Sequence, residues 1–589
     1  MPIIVQKFGG TSVADSQKIL AAARKAIRAQ QQGNQVVMVV SAMGKNTDVL
    51  VDLANEITDA PSAREMDMLL STGEQVSVAL MAMAIHSLGY KAVSLTGAQI
   101  GIRTDSTHTK ARIRSISTER MQKLLSEGNI VIAAGFQGID ENYNITTLGR
   151  GGSDTTAVAL AAVLGADACE IYTDVDGVYT TDPRLLPEAR RMTQTSYDEM
   201  LELASLGAGV MHSRSIEFAK KFSVPIHVRS SFTDIPGTMI VAEGESADLA
   251  VGGATLTKDE ARVTVFGVPD RPGSSLAIFS RIADRAVSVD MIVQNIGEEG
   301  MADITFTVPR DDLRATRHAV EEAVREIGAG GFTCDEGVSK VSVVGLGMAQ
   351  QTGVADRMFQ ALADAGVNIQ MISTSEIKIS VLIARESALD ALRAVHREFK
   401  LEKPPASPAE SAAPAQRTSS AVEVVRRLAG MEDLAIDDLT LDETQARITI
   451  SHVQDKPGVA AAVFRQIAET DVFVDMIVQG YGRGGQANLS FTVPHQQISR
   501  ALMDVGKLAK SLDCGAVSSS PRAAKLSVSG IGLRSHTGVA IRMFRCLAEA
   551  GINVEMINTS EVRVNVVVAG EHGQKALECL KQAFADVLL

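Results

Sequence analysis

Ile3-Ile4-Val5-Gln6-Lys7-Phe8-Gly9-Gly10-Thr11-Ser12 is an apolar β-type run that breaks at two glycines and leads into a helix-compatible stretch from about Asp15. A strand, a glycine turn and a helix start in this order gather backbone N–H groups and one ammonium where a phosphate can sit. Lys7 precedes the glycines and lies on the strand, so the spacing is not that of a P-loop. Taken alone, the segment is equally well an ordinary strand-to-helix turn with a surface lysine. The rest of the chain has to decide.

The same rhythm continues downstream. β-type runs at Val36–Val40 and Ile130–Ala134, with Ile171 and Tyr172, alternate with helix-like stretches at Glu65–Leu88 and Thr155–Leu164. Such alternation predicts an α/β unit with a mostly parallel sheet covered by helices on both faces, with ligands at the strand ends. Glycine-bearing turns follow the runs at Gly9–Gly10, Ser41–Gly44, Gly135–Gly138 and Thr173–Gly177.

The 589 residues, 45% of them hydrophobic, suffice for several domains. A formal charge of -13 without a basic block argues against nucleic-acid binding, which needs clustered Lys and Arg. Cys169, Cys334, Cys514, Cys546 and Cys579 form no CxxC pair, against a disulfide framework or zinc site, so a reducing cytoplasm is expected. The N-terminus has no charged leader, and no run approaches the roughly 18 apolar residues of a membrane span.

Beyond the first half, the chain repeats itself. Val265–Asn295 (VFGVPDRPGSSLAIFSRIADRAVSVDMIVQN) matches Ile450–Gly480 (ISHVQDKPGVAAAVFRQIAETDVFVDMIVQG), with Asp270 and Asp455 offset by 455 minus 270, or 185. The offset holds for Gln294 and Gln479, Gly353 and Gly538, Asn368 and Asn553, and Glu376 and Glu561. Within each copy Gly353 minus Gly273, and Gly538 minus Gly458, both give 80, so four related modules are present. Each reads strand, glycine turn, helix, strand, strand, helix, strand, as in Arg262–Val268, Ser274–Arg285, Ser288–Val293 and Ile304–Val308. Split βαβ units of this kind leave an edge that a second unit completes. Glu402–Ser420, rich in Pro, Ala and Ser, reads as a flexible linker.

Two further segments carry polar chemistry. Leu148-Gly149-Arg150-Gly151-Gly152-Ser153-Asp154 approaches a helix start with glycines, an arginine able to grip a carboxylate, and Asp154, which by itself reads as a cap. Thr173-Asp174-Val175-Asp176-Gly177-Val178-Tyr179, followed by Asp182-Pro183-Arg184, is either a tight turn or a nucleotide subsite with Arg184 on a phosphate.

KFGGTS at Lys7–Ser12, SAMG at Ser41–Gly44, STGEQ at Ser71–Gln75, LGRGGSD at Leu148–Asp154 and YTDVDGVYTTDPR at Tyr172–Arg184 together closely resemble aspartate kinases of the amino-acid kinase family. The match spans the first half in the family's order, and the repeated modules resemble ACT domains. The resemblance implies an amino-acid-kinase-like domain over residues 1–245 and ACT modules at 262–330, 339–400, 447–513 and 524–589. These would form two tandem βαββαβ pairs joined by a linker at 401–421.

The activity so implied is transfer of the γ-phosphoryl group of ATP to the side-chain carboxylate of L-aspartate, the first step toward lysine, threonine and methionine. Lys7 and Asp154 would be catalytic, with Asp154 keeping Lys7 placed and charged. Gly9, Gly10, Ser41, Thr173, Asp174, Tyr179 and Arg184 would join Lys7 around ATP, and Thr47, Glu74, Arg150, Gly151, Gly152 and Ser153 would hold aspartate. Mg2+ would ride on the phosphates, since the sequence offers no compact carboxylate cluster. Many family members carry a lysine where this chain has Gly209, and Arg214 or His212 could replace it.

The modules would bind L-threonine and L-lysine as feedback inhibitors and hold a homodimer or larger oligomer together. In the first copy Asp270, Gly273, Asp290 and Gln294 of one module would meet Gly353, Asn368, Ile369, Ser375 and Glu376 of its tandem neighbour. The second copy retains Asp455, Gly458, Asp475, Gln479, Gly538, Asn553, Ser560 and Glu561, while Asn295 becomes Gly480. A purely structural second pair is the alternative. Two other classes stay open: a kinase for another acceptor such as glutamate, and a non-catalytic amino-acid sensor.

Overall fold

The computed structural model describes residues 1–207, 209–245, 249–296, 300–405, 434–470, 472–482, 485–531, 533 and 538–588. Residues 406–421 of the expected linker lie outside them. The chain divides into two compact units, Met1–Tyr179 with Arg191–Ser246, and Thr180–Arg190 with Ala247–Ala406 and Leu434–Leu589.

The first unit is built on an eight-stranded sheet in the order Gln194–Ser196, Thr238–Val241, Ile226–Ser230, Ala168–Thr173, Ile3–Phe8, Gln35–Val40, Ile130–Ala134, Ala92–Leu95. All neighbours run parallel except Ile226–Ser230 against Thr238–Val241. The central strands are buried on both faces, which is why Val36–Val40 and Ile130–Ala134 are uninterrupted apolar runs. Ile3–Phe8 lies in the middle and places Lys7 opposite Val39 on one side and Ile171 on the other. The turns after these three strands, at Gly9, Ser41 and Asp174, therefore open at one end of the sheet.

Helix Ser16–Gln31 begins at Asp15, whose Oδ1 accepts Lys18 N–H at 2.9 Å. Ala63–Ser87, at 25 residues, is long and apolar enough by composition to cross a membrane. Half of its apolar window is buried, and it carries the buried carboxylates Asp67 and Glu74, so it reads as a core helix. A small second sheet, Ile113–Ile116, Ile102–Thr104, Gln137–Ile139, Ile145–Thr147, precedes the Leu148–Asp154 segment.

The second unit is a twelve-stranded sheet in which the order of six strands occurs twice. Ile292–Ile296, Met301–Pro309, Gly253–Pro269, Gly331–Val344, Lys378–Ala384 and Ile369–Ser375 are followed, each 185 residues later to within a few positions, by their counterparts Ile477–Gln479 through Met556–Thr559. The seam is antiparallel, with Ile372 opposite Gln479 and Ser373 opposite Val478. The long strands Gly253–Pro269 and Ala435–Gln454 begin ahead of the sequence-expected modules because their upstream halves pair with Gly331–Val344 and Val517–Ile531. The expected strand Ser288–Val293 starts only at Ile292.

The helices pair across the copies. Phe279 meets Phe544 with ring centroids 5.9 Å apart, and Phe359 meets Phe464 at 5.4 Å. One apolar core thus joins the first module to the fourth, and another joins the second to the third. Each module's apolar helix face finds its cover on the other copy.

Candidate active site

Lys7 leaves the central strand of the parallel sheet and meets Asp154, Nζ to Oδ1 2.6 Å, with each side chain 12% exposed. Asp154 stands in the first turn of helix Gly152–Leu164, whose N-cap is Gly151 at φ 70°. Its carboxylate is thus spent on Lys7 rather than on capping, and it holds the ammonium at the mouth of the strand-end cleft. A Cβ on Gly9 would stand 3.5 Å from Lys7 Nζ. On Gly10 it would stand 2.8 Å from Ala42 O, so the glycine lets the first turn cross the Ser41–Gly44 turn. Ser41 N–H donates to Phe8 O at 3.1 Å.

Glu74 approaches the same turn from helix Ala63–Ser87. Its Oε1 accepts Ala42 N–H at 3.1 Å, while Oε2 is buried without a hydrogen-bond partner. Burial pushes this carboxyl up to about 7, against the lowering effect of backbone donors that include Ala42. An orphaned buried carboxylate oxygen of this kind is matched to a cation. Thr47 is half-buried near the start of helix Asn46–Ile57.

The Leu148–Ser153 loop presents Arg150 on its exposed side. Gly149 and Gly151 both have positive φ, 76° and 70°. A Cβ on Gly151 would fall 2.4 Å from His212 Cβ, and one on Gly152 would fall 2.8 Å from Phe136 Cδ2. Ser153 packs against Gly135. Arg214, held open above as a substitute for the lysine absent at Gly209, donates to Leu148 O at 2.6 Å and to Ala111 O at 3.0 Å. His212 accepts Arg214 N–H at 3.3 Å, and burial, followed by the Arg214 charge, holds its pKa below the usual imidazole value. Both residues support the loop.

Asp67 is the residue here that sequence reasoning passed over. Fully buried, it accepts from Thr147 Oγ1 at 2.5 Å and Thr109 N–H at 3.0 Å, and shares a 2.7 Å hydrogen bond with His108 Nδ1. It thereby fixes both Thr147, just ahead of the loop, and Thr109, whose carbonyl lies 3.0 Å from the Cβ position of Gly149. The available signal was its spacing: Asp67 and Glu74 are seven residues apart, on one helix face.

Thr173 ends strand Ala168–Thr173, and its Oγ1 donates to Asp174 Oδ1 at 3.2 Å. Below it Tyr172 stacks on Phe8 at 4.6 Å. Tyr179 bridges to Arg191. Arg184 lies in Thr180–Arg190, which belongs to the second unit, and its guanidinium is forked on Asp182 at 2.8–3.1 Å. That pairing lowers the Asp182 pKa.

The module residues also gather differently from the tandem arrangement expected above. Asn553 Nδ2 donates to Asp270 Oδ1 at 2.7 Å, and Gln294 Nε2 to Val554 O at 2.7 Å. Asn368 Nδ2 donates to Asp455 Oδ1 at 2.6 Å, and Gln479 Nε2 to Ile369 O at 3.4 Å. Asp290 lines a cavity of about 90 Å³ with Ser560 and Glu561, while Gly353, Ser375 and Glu376 line one of about 300 Å³ with Asp475. Gly273 and Gly458, at φ 95° and 89°, cap the helices beside these seams, and Gly538 opens the matching helix of the fourth module. The pairing runs across the copies because the helix faces and strand edges there complete each other.

Residues 2–230 match the amino acid kinase family, and 262–327, 341–399 and 526–584 match ACT domains. An aspartate kinase of Pseudomonas putida is 50% identical over 406 residues, 69% of this chain and 99% of its own length. The chain belongs to the aspartate kinases. An aspartokinase of Geobacillus stearothermophilus is 51% identical over 402 residues, 68% of this chain and 98% of its own. The crystal structure of an aspartate kinase from Synechocystis is 42% identical, covering 99% of this chain and 98% of that one at a TM-score of 0.53. Aspartokinase III of E. coli, in complex with aspartate and ADP, is 26% identical, covering 67% of this chain and 99% of that one at a TM-score of 0.57. The chain is a phosphotransferase of this family, and the Pseudomonas and Geobacillus relatives, matched over nearly their whole length, account for about two thirds of it.

Proposed function

We propose that the first unit transfers the γ-phosphoryl group of ATP to the side-chain carboxylate of L-aspartate, opening the route to lysine, threonine and methionine. The observation that carries this reading is the Lys7–Asp154 pair at the end of the central strand, beside the glycine turns. An aspartate carboxyl with a reference pKa of about 3.9 is ionised at neutral pH, so it attacks without a general base. The obstacle is repulsion between anions. Lys7 offsets the charge of the transferring group, Asp154 fixes Lys7, and Gly9, Gly10 and Ser41 contribute close backbone approach and donors to the phosphates.

Glu74 Oε2 receives the substrate ammonium, Arg150 grips its α-carboxylate, and Thr47 with Gly151, Gly152 and Ser153 fixes its orientation. Thr173, Asp174 and Tyr179 face the nucleotide side. Among the described residues no three His, Cys, Asp or Glu side chains are grouped to hold a metal. Asp154 is already committed to Lys7, so Mg2+ would be carried on ATP, neutralising phosphate charge.

The second unit is the sensor. A related E. coli aspartokinase III has been crystallised with lysine and aspartate in a form titled T-state, 25% identical over 67% of this chain and 99% of that one at a TM-score of 0.55. By the same logic L-lysine and L-threonine bind at the two seams between modules and bias the kinase between two arrangements. Module pairing is met inside one chain and does not by itself call for a second. ATP-dependent formation of aspartyl phosphate, trapped as its hydroxamate, with each amino acid and with both together, tests the reading. Inhibition strongest with both is expected, and an unchanged rate at millimolar effector contradicts the regulatory part.

A further inference from the structure

The two seams are related by the 185-residue repeat, so their differences mark what each selects. The cavity of about 300 Å³ between the second and third modules is lined by Gly353, Asp356, Ser375, Gln445, Asp475 and Lys525, among others. Lys525 is paired with Asp475. Three polar atoms on this lining are left over. Asp356 Oδ1, Ser375 Oγ and Gln445 Oε1 are each buried without a hydrogen-bond partner. Gln445 is only 7% exposed, and its amide nitrogen donates to Asp442 Oδ2 at 2.8 Å, while its carbonyl oxygen is unclaimed. Unmet acceptors on a cavity wall are matched by a ligand that brings N–H groups.

The twin seam differs at two of these positions. Position 356 plus 185 is Ile541, which lines the smaller cavity between the first and fourth modules. Position 445 minus 185 is Glu260, whose Oε1 accepts the buried Lys340 Nζ at 2.8 Å. There an apolar side chain stands where the other seam has a carboxylate, and the residue matching Gln445 is a carboxylate paired with a buried ammonium.

We infer that Asp356, with Gln445, is a specificity determinant that makes the seam between the second and third modules a site for a dibasic α-amino acid, while Ile541 makes the twin seam select a short uncharged side chain. The inference rests on the effector reading given under Proposed function. Asp356 follows Gly353, which at φ 78° caps helix Val354–Asp364. A ligand carboxylate at that helix N-terminus leaves the side chain to meet Asp356 and Gln445. A terminal ammonium satisfies both acceptors; a methyl leaves Asp356 Oδ1 and Gln445 Oε1 unpaired.

Calorimetric titration of the full chain with L-lysine, L-norleucine and L-threonine, on the wild type, Asp356→Ala and Asp356→Asn, tests this. Norleucine matches lysine's chain length without its ammonium. Wild type is expected to prefer lysine to norleucine by about tenfold or more, the range of a hydrogen bond to a charged group. Both variants are expected to lose that preference, keeping threonine affinity and effector-free turnover. Lysine affinity unchanged in both variants overturns the specificity inference and leaves the effector reading standing. A wild type that binds neither lysine nor threonine overturns the effector reading and the inference with it.

Discussion

Glu74→Gln separates what the buried carboxylate does for the substrate from what it costs the fold. Glu74 titrates near 7, and only its ionised form accepts an ammonium at Oε2. The ionised fraction of such a group rises from about one tenth at pH 6 to about nine tenths at pH 8, so the KM for aspartate falls about tenfold across that interval. Gln keeps an acceptor for Ala42 N–H but carries no charge. Removing one partner of a buried charge pair costs about 2–5 kcal/mol, which raises KM by about 30-fold or more and makes it independent of pH in this window.

Stability moves the other way. The folded-state value lies above the ordinary 4.5, so the fold favours the protonated acid. The penalty is absent below about pH 4.5, grows as pH rises, and is complete above about 7, where it amounts to about 3 kcal/mol. The unliganded variant is therefore expected to unfold at a higher temperature than wild type at pH 8 and at the same temperature at pH 4.5. Steady-state kinetics at saturating ATP from pH 6 to 8, with thermal unfolding at both ends, checks the pair of claims. A KM within threefold of wild type, or a surviving pH slope in the variant, refutes the assignment.

Gly151→Ala forces a left-handed φ on alanine and drives its Cβ into His212, so kcat/KM for aspartate is expected to fall about 100-fold, read by the hydroxamate assay, while lysine and threonine still bind. Arg214→Lys loses the fork that holds Leu148 O and Ala111 O together, and a drop of about tenfold or more in kcat/KM with an unchanged unfolding midpoint is expected. Lys340→Met leaves Glu260 and Asp290 buried without their cation and is expected to destabilise the second unit by about 3–5 kcal/mol in denaturant titration. Lys525→Met, at a more open site with Asp475, is expected to cost less.

The chemistry of the first unit was legible because its residues sit in short segments at strand ends, where a lysine, two glycines and a capped helix announce themselves locally. Glu74 was legible as a polar residue in a motif, but its raised pKa depends on packing between the helix and the Ala42 turn. Asp67 went unnoticed because its partners His108, Thr109 and Thr147 come from distant segments. Arg214 stood open, beside His212, as a substitute for the lysine absent at Gly209, since an arginine's charge shows in sequence and its carbonyl acceptors do not. Arg184 was legible as a cation beside the nucleotide motif, while its fork onto Asp182 was not. The repeat offset established four modules and said nothing of which edges meet. Neighbours at an offset of 80 or 185 would each supply complementary faces, yet the pairs that form, Phe279 with Phe544 and Phe359 with Phe464, stand 265 and 105 residues apart.

Lys7→Ala tests the central claim most directly. Turnover at saturating ATP and aspartate is expected to fall by about 1,000-fold or more, as when a phosphoryl-transfer site loses its stabilising cation. The KM for aspartate is expected to stay within a few-fold, and lysine and threonine to bind the second unit as in wild type. A turnover within tenfold of wild type, or loss of effector binding together with activity, contradicts the account.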